Sequence, residues 1–164
     1  GTGSGCIAIT LAEEFKNSYV SAVDKSAEAL KVAAQNAKRI GVSNIAFFEG
    51  SWYEPFMTTH ADENNKFDII VSNPPYIDPN DPHLAGLTDE PISALIADNK
   101  GMADICHIVK TAPQFLQPHG LLAIEHGYDQ GEQVRGIFLS NGFGDVITVK
   151  DYGDNERVTL GVIN

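Results

Sequence analysis

The sequence predicts one α/β domain spanning residues 1–164, a doubly wound sheet that is mostly parallel and carries one reversed strand near its C-terminal end. Three observations predict it. Helical and extended segments alternate along the 164-residue chain, a glycine-rich turn opens the first helical segment, and two closing strand segments are joined by a short polar connection. Such alternation indicates a parallel sheet covered by helices, and a terminal hairpin turns one strand against the rest.

Each element has its own signal. A helix is expected over 5–16, where Ile7, Leu11 and Phe15 recur every four residues and share one face. A strand over 18–23 ends at Asp24, and a helix over 26–40 has Ser26 as its N-cap and Gly41 as its terminator. Strands follow at 45–48 and 67–72. A helix is expected over 103–116, a turn at Pro118-His119-Gly120, a strand at 121–126 and a helix at 129–140. The strands at 143–150 and 157–163 form the hairpin. Residues 58–66 read as a solvated polar loop. The segment 73–91 holds five prolines without periodicity, and long irregular segments after a strand are often functional.

Two motifs carry the chemistry. The turn Gly1-Thr2-Gly3-Ser4-Gly5 lets a ligand approach the backbone, and Asp24, about 20 positions on, can accept bonds from two ribose hydroxyls. The spacing is G-x-G-x-G, and Cys6 stands where a dinucleotide turn would have its third glycine. That favours the adenosine and amino-acid parts of S-adenosylmethionine over a pyrophosphate. The second motif, Asn73-Pro74-Pro75-Tyr76, directly follows a strand. The Asn73 side-chain carbonyl and the Pro74 main-chain carbonyl are two convergent acceptors for a planar NH₂ group. The prolines fix that stretch before substrate arrives, and Tyr76 can cover one face of a flat group.

Composition excludes rivals. The hydrophobic fraction of 43% can build a core, and no apolar run reaches the length of a membrane span. Eleven basic residues stand against 22 acidic ones, a net charge of −11 without a basic cluster, which disfavours duplex DNA as a partner. Cys6 and Cys106 are expected to be buried free thiols of a reducing, cytoplasmic compartment. The five histidines show no metal-ligand spacing, and His126 reads as an ordinary hydrogen-bonded residue. Asp151, Asp154 and Glu156 beside Arg157 read as turn chemistry.

The chain resembles the catalytic domain of the bacterial glutamine methyltransferases that modify the Gly-Gly-Gln motif of class 1 peptide-chain release factors. The resemblance rests on Ser72-Asn73-Pro74-Pro75-Tyr76-Ile77, Asp81-Pro82-His83-Leu84, Gly101-Met102-Ala103-Asp104, Glu125-His126-Gly127 and Asp151 through Val158. Asn-Pro-Pro-Tyr by itself is shared with DNA adenine methyltransferases and ribosomal-protein glutamine methyltransferases; the other segments narrow the choice.

The resemblance implies a Rossmann-like fold using S-adenosyl-L-methionine, with a release factor as protein substrate and no metal. It implies that Gly1 to Gly5 line the methionine part of the cofactor, that Asp24 holds its ribose and that Trp52 lies against the adenine. Asn73 would serve both cofactor and substrate, with Pro74, Pro75 and Tyr76 completing the glutamine pocket. Ser51 departs from the acidic residue many relatives carry before the tryptophan, which puts a side-chain contact to the adenine amino group in question. The family also has an N-terminal helical domain and a strand before the glycine turn, so this segment alone is expected to be unstable or inactive. The expected chemistry is direct in-line transfer to the amide nitrogen, driven by orientation and exclusion of water, with no general base.

Overall fold

Helices and strands alternate through the residues that the computed structural model describes, which are 1–57, 66–79 and 95–164. They fall into two units, Gly1–Asp62 and Glu63–Asn164. In the first unit, α1 (Cys6–Glu14), β1 (Val20–Asp24), α2 (Ala27–Ile40), β2 (Ile45–Glu49) and α3 (Glu54–Met57) follow in order. β1 and β2 are parallel neighbours, from Val20 opposite Ile45 to Asp24 opposite Glu49.

The expected caps of α2 are in place. The Ser26 hydroxyl accepts from the Ala29 amide at 3.2 Å, and Gly41, at φ 91°, donates its amide to the Ala37 carbonyl. Glu28 in the first turn and Lys38 and Arg39 in the last complement the helix dipole. The packing face of α1 differs from the expectation. Ala8, Ile9 and Ala12 are buried, while Ile7 and Phe15 are 45% and 57% exposed. The reason is close approach of small residues. A Cβ on Gly5 would fall 2.9 Å from Ile9 Cδ1 and 3.0 Å from the Ala33 Cβ, so the start of α1 sits tightly against α2 and packs on the face of Ala8, Ile9 and Ala12. Asn44 ties off the end of α1 by donating to the carbonyls of Ala12, Phe15 and Ser18.

The second unit contains β3 (Phe67–Ser72), α4 (Asp98–Gly101), α5 (Ala103–Thr111), a 3₁₀ turn (Ala112–Gln114), β4 (Leu116–Glu125), α6 (Gly131–Ser140), β5 (Phe143–Lys150) and β6 (Glu156–Ile163). Its sheet runs in the order β3-β4-β6-β5, with β3 parallel to β4 and β6 antiparallel to both its neighbours. The fold is thus α/β with parallel pairs and one reversed strand near the C-terminal end.

Two boundaries differ by about five residues from those read in the sequence, and the others lie within two. α5 ends at Thr111 rather than near 116, because Pro113 lacks the amide that would continue the ladder and the chain tightens into a 3₁₀ turn. β4 begins at Leu116, five residues earlier than expected. Phe67 pairs with Leu116 and Ile69 with Leu121, so Pro118-His119-Gly120 forms an irregularity inside the strand instead of a turn before it.

Met102, Ile105, Ile108, Val109, Leu122, Ile124, Val134 and Phe138 are almost wholly buried and form the core of this unit. Each contributes on the order of 1.5–3 kcal/mol of transfer free energy. The Phe138 ring lies 5.1 Å from that of Phe143, and its edge occupies the space beside Gly161, where a Cβ would come within 2.7 Å of it. Among the described residues no helix is long and apolar enough to cross a membrane.

Candidate functional site

The residues singled out in the sequence gather in two groups, one in each unit. In the first, the glycine turn is folded on itself and tied to β1. The Gly5 amide donates to the Thr2 carbonyl at 2.9 Å and the Thr2 amide to the Val23 carbonyl at 2.8 Å. Gly3 and Gly5 have φ of 56° and 84°, a region costly for other residues. The Asn36 side chain donates to the Ser4 carbonyl at 3.0 Å. Asp24, the last residue of β1, is buried, and its carboxylate accepts from the Gly3 amide at 2.8 Å and the Ser26 amide at 2.9 Å. A carboxylate has about four lone-pair positions, so two remain for hydroxyls after these bonds. Asp24 therefore braces the turn as well as being able to take a ligand.

Trp52 is half-buried, with φ 50°. A non-glycine residue in that region is strained by about 1–3 kcal/mol, and such strain clusters at ligand sites. The surrounding turn is fastened by Glu54, whose carboxylate accepts from the Ser51 amide at 2.7 Å, and by the Glu54 amide, which donates to the Ser51 carbonyl.

In the second unit, Asn73-Pro74-Pro75-Tyr76 leaves the C-terminal end of β3. Asn73 is exposed, and its side chain has no hydrogen bond among the described residues. Pro74 is fully buried, and Pro75 and Tyr76 are half-buried. Tyr76 is fastened at both ends. Its hydroxyl donates to Glu125 Oε1 at 3.1 Å, and its carbonyl accepts from Gln130 Nε2 at 2.9 Å. Burial first, and then the Glu125 carboxylate, push the Tyr76 phenol above its ordinary pKa, so it stays a donor. Ile77 continues into a short parallel bridge with Ile96, its amide donating to the Leu95 carbonyl.

His126 lies beside this group and is wholly buried. Its Nδ1 faces the Gly127 carbonyl at 2.8 Å, which can only accept, so Nδ1 carries the proton and Nε2 accepts from the Thr159 hydroxyl at 2.9 Å. Thr148 then donates to Thr159, and Arg135 to Thr148, at 2.9 and 2.8 Å. Burial lowers the His126 pKa, in keeping with a neutral ring. His126 is thus a satisfied hydrogen-bonded residue, as the sequence suggests.

The acidic connection is turn chemistry. Asp151 Oδ1 accepts from the Gly153 and Asn155 amides, and Oδ2 from Arg157 at 3.1 and 3.2 Å. The Asn155 amide foremost, helped by Arg157, holds the Asp151 carboxyl below its usual pKa. Arg157 in turn donates to the His126 carbonyl at 3.2 Å.

Other expectations fare differently. Cys6 and Cys106 are free, yet Cys6 is exposed and Cys106 half-buried, because Cys6 begins α1 on the side away from Ala8 and Ala12. Asp81-Pro82-His83-Leu84, most of the 73–91 segment and nearly all of the 58–66 loop lie outside the described residues. The sequence reading gave no individual role to Glu125, Gln130 or Gly101. Glu125 and Gly101 stood only inside longer matching segments, and no local spacing marks Gln130.

The comparisons with known proteins agree with this geometry. A family model described as "Methyltransferase domain" matches residues 1–143. The chain is 47% identical over 163 residues to proteins named "Release factor glutamine methyltransferase" from Salmonella typhimurium and Vibrio cholerae, covering 98% of its own length in each case. It spans 57% and 55% of the lengths of those relatives. A solved methyltransferase from Pyrococcus furiosus superposes with TM-score 0.69 at 19% identity, covering 99% of this chain and 71% of that one, a likeness of fold. With a glycine turn braced by a buried aspartate, an α/β sheet and a matching family model over most of its length, this chain belongs to the methyltransferase domain family.

Proposed function

We propose that the protein transfers a methyl group from S-adenosylmethionine to the side-chain amide nitrogen of a glutamine, the glutamine of the Gly-Gly-Gln motif in class 1 release factors. The carrying observation is an Asn73 that is exposed and, among the described residues, unengaged, followed by a buried proline and a tyrosine fastened at both hydroxyl and carbonyl. The 47% identity to proteins of that name supports the choice of substrate.

The residues of the first unit suit the cofactor. The glycine turn leaves open space where a Gly3 side chain would stand, and the Asp24 carboxylate keeps accepting capacity beside it. Gly1 to Gly5 would line the methionine part, Asp24 would accept from ribose hydroxyls, and Trp52 would lie against the adenine. Bound S-adenosylmethionine supplies an electrophilic methyl group on a sulfonium.

The chain's own task is orientation. The Asn73 side-chain carbonyl and the Pro74 carbonyl would accept the two amide hydrogens, drawing positive character onto them as the nitrogen becomes bonded to carbon. Tyr76 and Pro75 would cover the flat amide and keep water away. No group here is needed as a base, because a methylated amide nitrogen sheds its proton readily. Such a substrate places the protein in the cytoplasm, where translation terminates.

Intact-mass analysis of a purified class 1 release factor, after incubation with the full-length protein and cofactor, tests this. A gain of one methyl group mapped to the Gly-Gly-Gln glutamine is expected. Transfer instead to a ribosomal protein or to DNA, or to nothing, would overturn it.

A further inference from the structure

Gln130 precedes α6 as its N-cap residue, yet its side chain does not cap that helix. Glutamine is not among the residues favoured at that position, so helix stability does not account for it. Its amide instead joins two loops. Oε1 accepts from the Gly127 amide at 2.8 Å, and Nε2 donates to the Tyr76 carbonyl at 2.9 Å. Those loops leave the ends of β3 and β4, which are parallel partners with Ser72 opposite Ile124. A third segment is shaped around the same bond. Gly101, at φ 78°, has no Cβ, and one there would fall 2.0 Å from the Tyr76 oxygen and 2.9 Å from Gln130 Nε2.

Few torsions separate the Tyr76 carbonyl from the Pro74 carbonyl, and the one at Pro75 φ is locked by its ring. With the Tyr76 hydroxyl held by Glu125 and its carbonyl by Gln130, the Pro74 carbonyl has fewer ways to turn. We infer that Gln130 is a positioning residue that aims the Pro74 carbonyl at the substrate amide, an inference that rests on the proposed glutamine methylation. It does not touch substrate itself.

Gln130→Glu separates this role from a structural one. The carboxylate keeps an acceptor for the Gly127 amide but sets an oxygen against the Tyr76 carbonyl, so one end of the bridge fails. Gln133→Glu makes the same charge change at an exposed site on α6 and serves as the control. In the full-length protein, kcat for release-factor methylation should fall roughly tenfold to a hundredfold in Gln130→Glu. KM for the release factor should stay within about twofold, with cofactor affinity unchanged. Amide exchange in a peptide spanning residues 73–78 should quicken, and the control should match the parent throughout. Parental kcat in Gln130→Glu, or a fall explained by lost folded fraction or lost cofactor affinity, would overturn the inference. A parent that methylates no glutamine would sink the proposed reaction and with it this catalytic role, whereas an active parent with an unaffected variant would sink the role of Gln130 alone.

Discussion

At the scale of single residues, the two groups are built on opposite principles. Asp24 already braces the turn before any ligand arrives, accepting from the amides of Gly3 and Ser26 and keeping acceptor capacity to spare. Asn73 is exposed and unengaged among the described residues. The consequences of substitution differ accordingly. Asp24→Asn replaces one acceptor oxygen by an NH₂ group, which must then face a main-chain N–H. The loss should be about 1–3 kcal/mol of stability, together with weaker cofactor binding, and a urea melt and equilibrium dialysis would read both. Unchanged stability would mean that the carboxylate does not brace the turn. Among the described residues Asn73→Ala breaks no side-chain hydrogen bond, and the site is exposed, so its melt should match the parent. Its turnover should fall by roughly 10²-fold or more, as for other oriented polar groups in active sites. Near-normal turnover would take Asn73 out of the mechanism.

At the scale of elements, α6 and the strand β6 are locked by shape. Phe138 fills the space that Gly161 leaves empty, and its ring packs on Phe143. Gly161→Ala would bring a methyl group against that ring within a wholly buried contact. Overpacking of this kind costs roughly 1–3 kcal/mol, which a denaturant melt of the protein would show as an earlier midpoint. A midpoint equal to the parent's would show that Phe138 has room to move. β3 and β4 play a different part. Being parallel, and in continuous register from Ile69 to Ser72, they deliver Asn73 and Gly127 from the same end of the sheet, the end at which open α/β sheets bind ligands.

At the scale of the whole molecule, the second unit contains a hydrogen-bonded path, buried at its centre, from Arg135 through Thr148 and Thr159 to His126 and Gly127. The path has one direction of donation only, and a protonated His126 could not accept from Thr159. Burial lowers the His126 pKa from 6.5. A group with a lowered histidine pKa binds its proton more readily when unfolded. Its contribution to stability is therefore complete above pH 6.5 and is lost progressively as the pH falls toward the folded pKa. Melts between pH 7 and pH 5 should show stability declining, and His126→Gln, which does not titrate, should flatten that part of the decline. An equal slope in both proteins would place the titrating groups elsewhere.

Much of the architecture was legible in the sequence. The strand bounds 67–72 and 143–150, the Ser26 and Gly41 caps and the reversed strand near the C-terminal end depend on local signals, namely periodicity, capping chemistry and short turns. The same holds for the motif residues themselves, because Asn73 to Tyr76 and Gly1 to Gly5 are contiguous. What sequence could not supply depends on partners far along the chain. The tight approach of Gly5 to Ala33 helps set which face of α1 packs, and the brace on Tyr76 comes from Gln130, 54 residues away, with Glu125 and Gly101 beside it. Local preference sets what each segment becomes, but the direction of a carbonyl is fixed only when distant segments meet around it, and that was settled by tertiary structure alone.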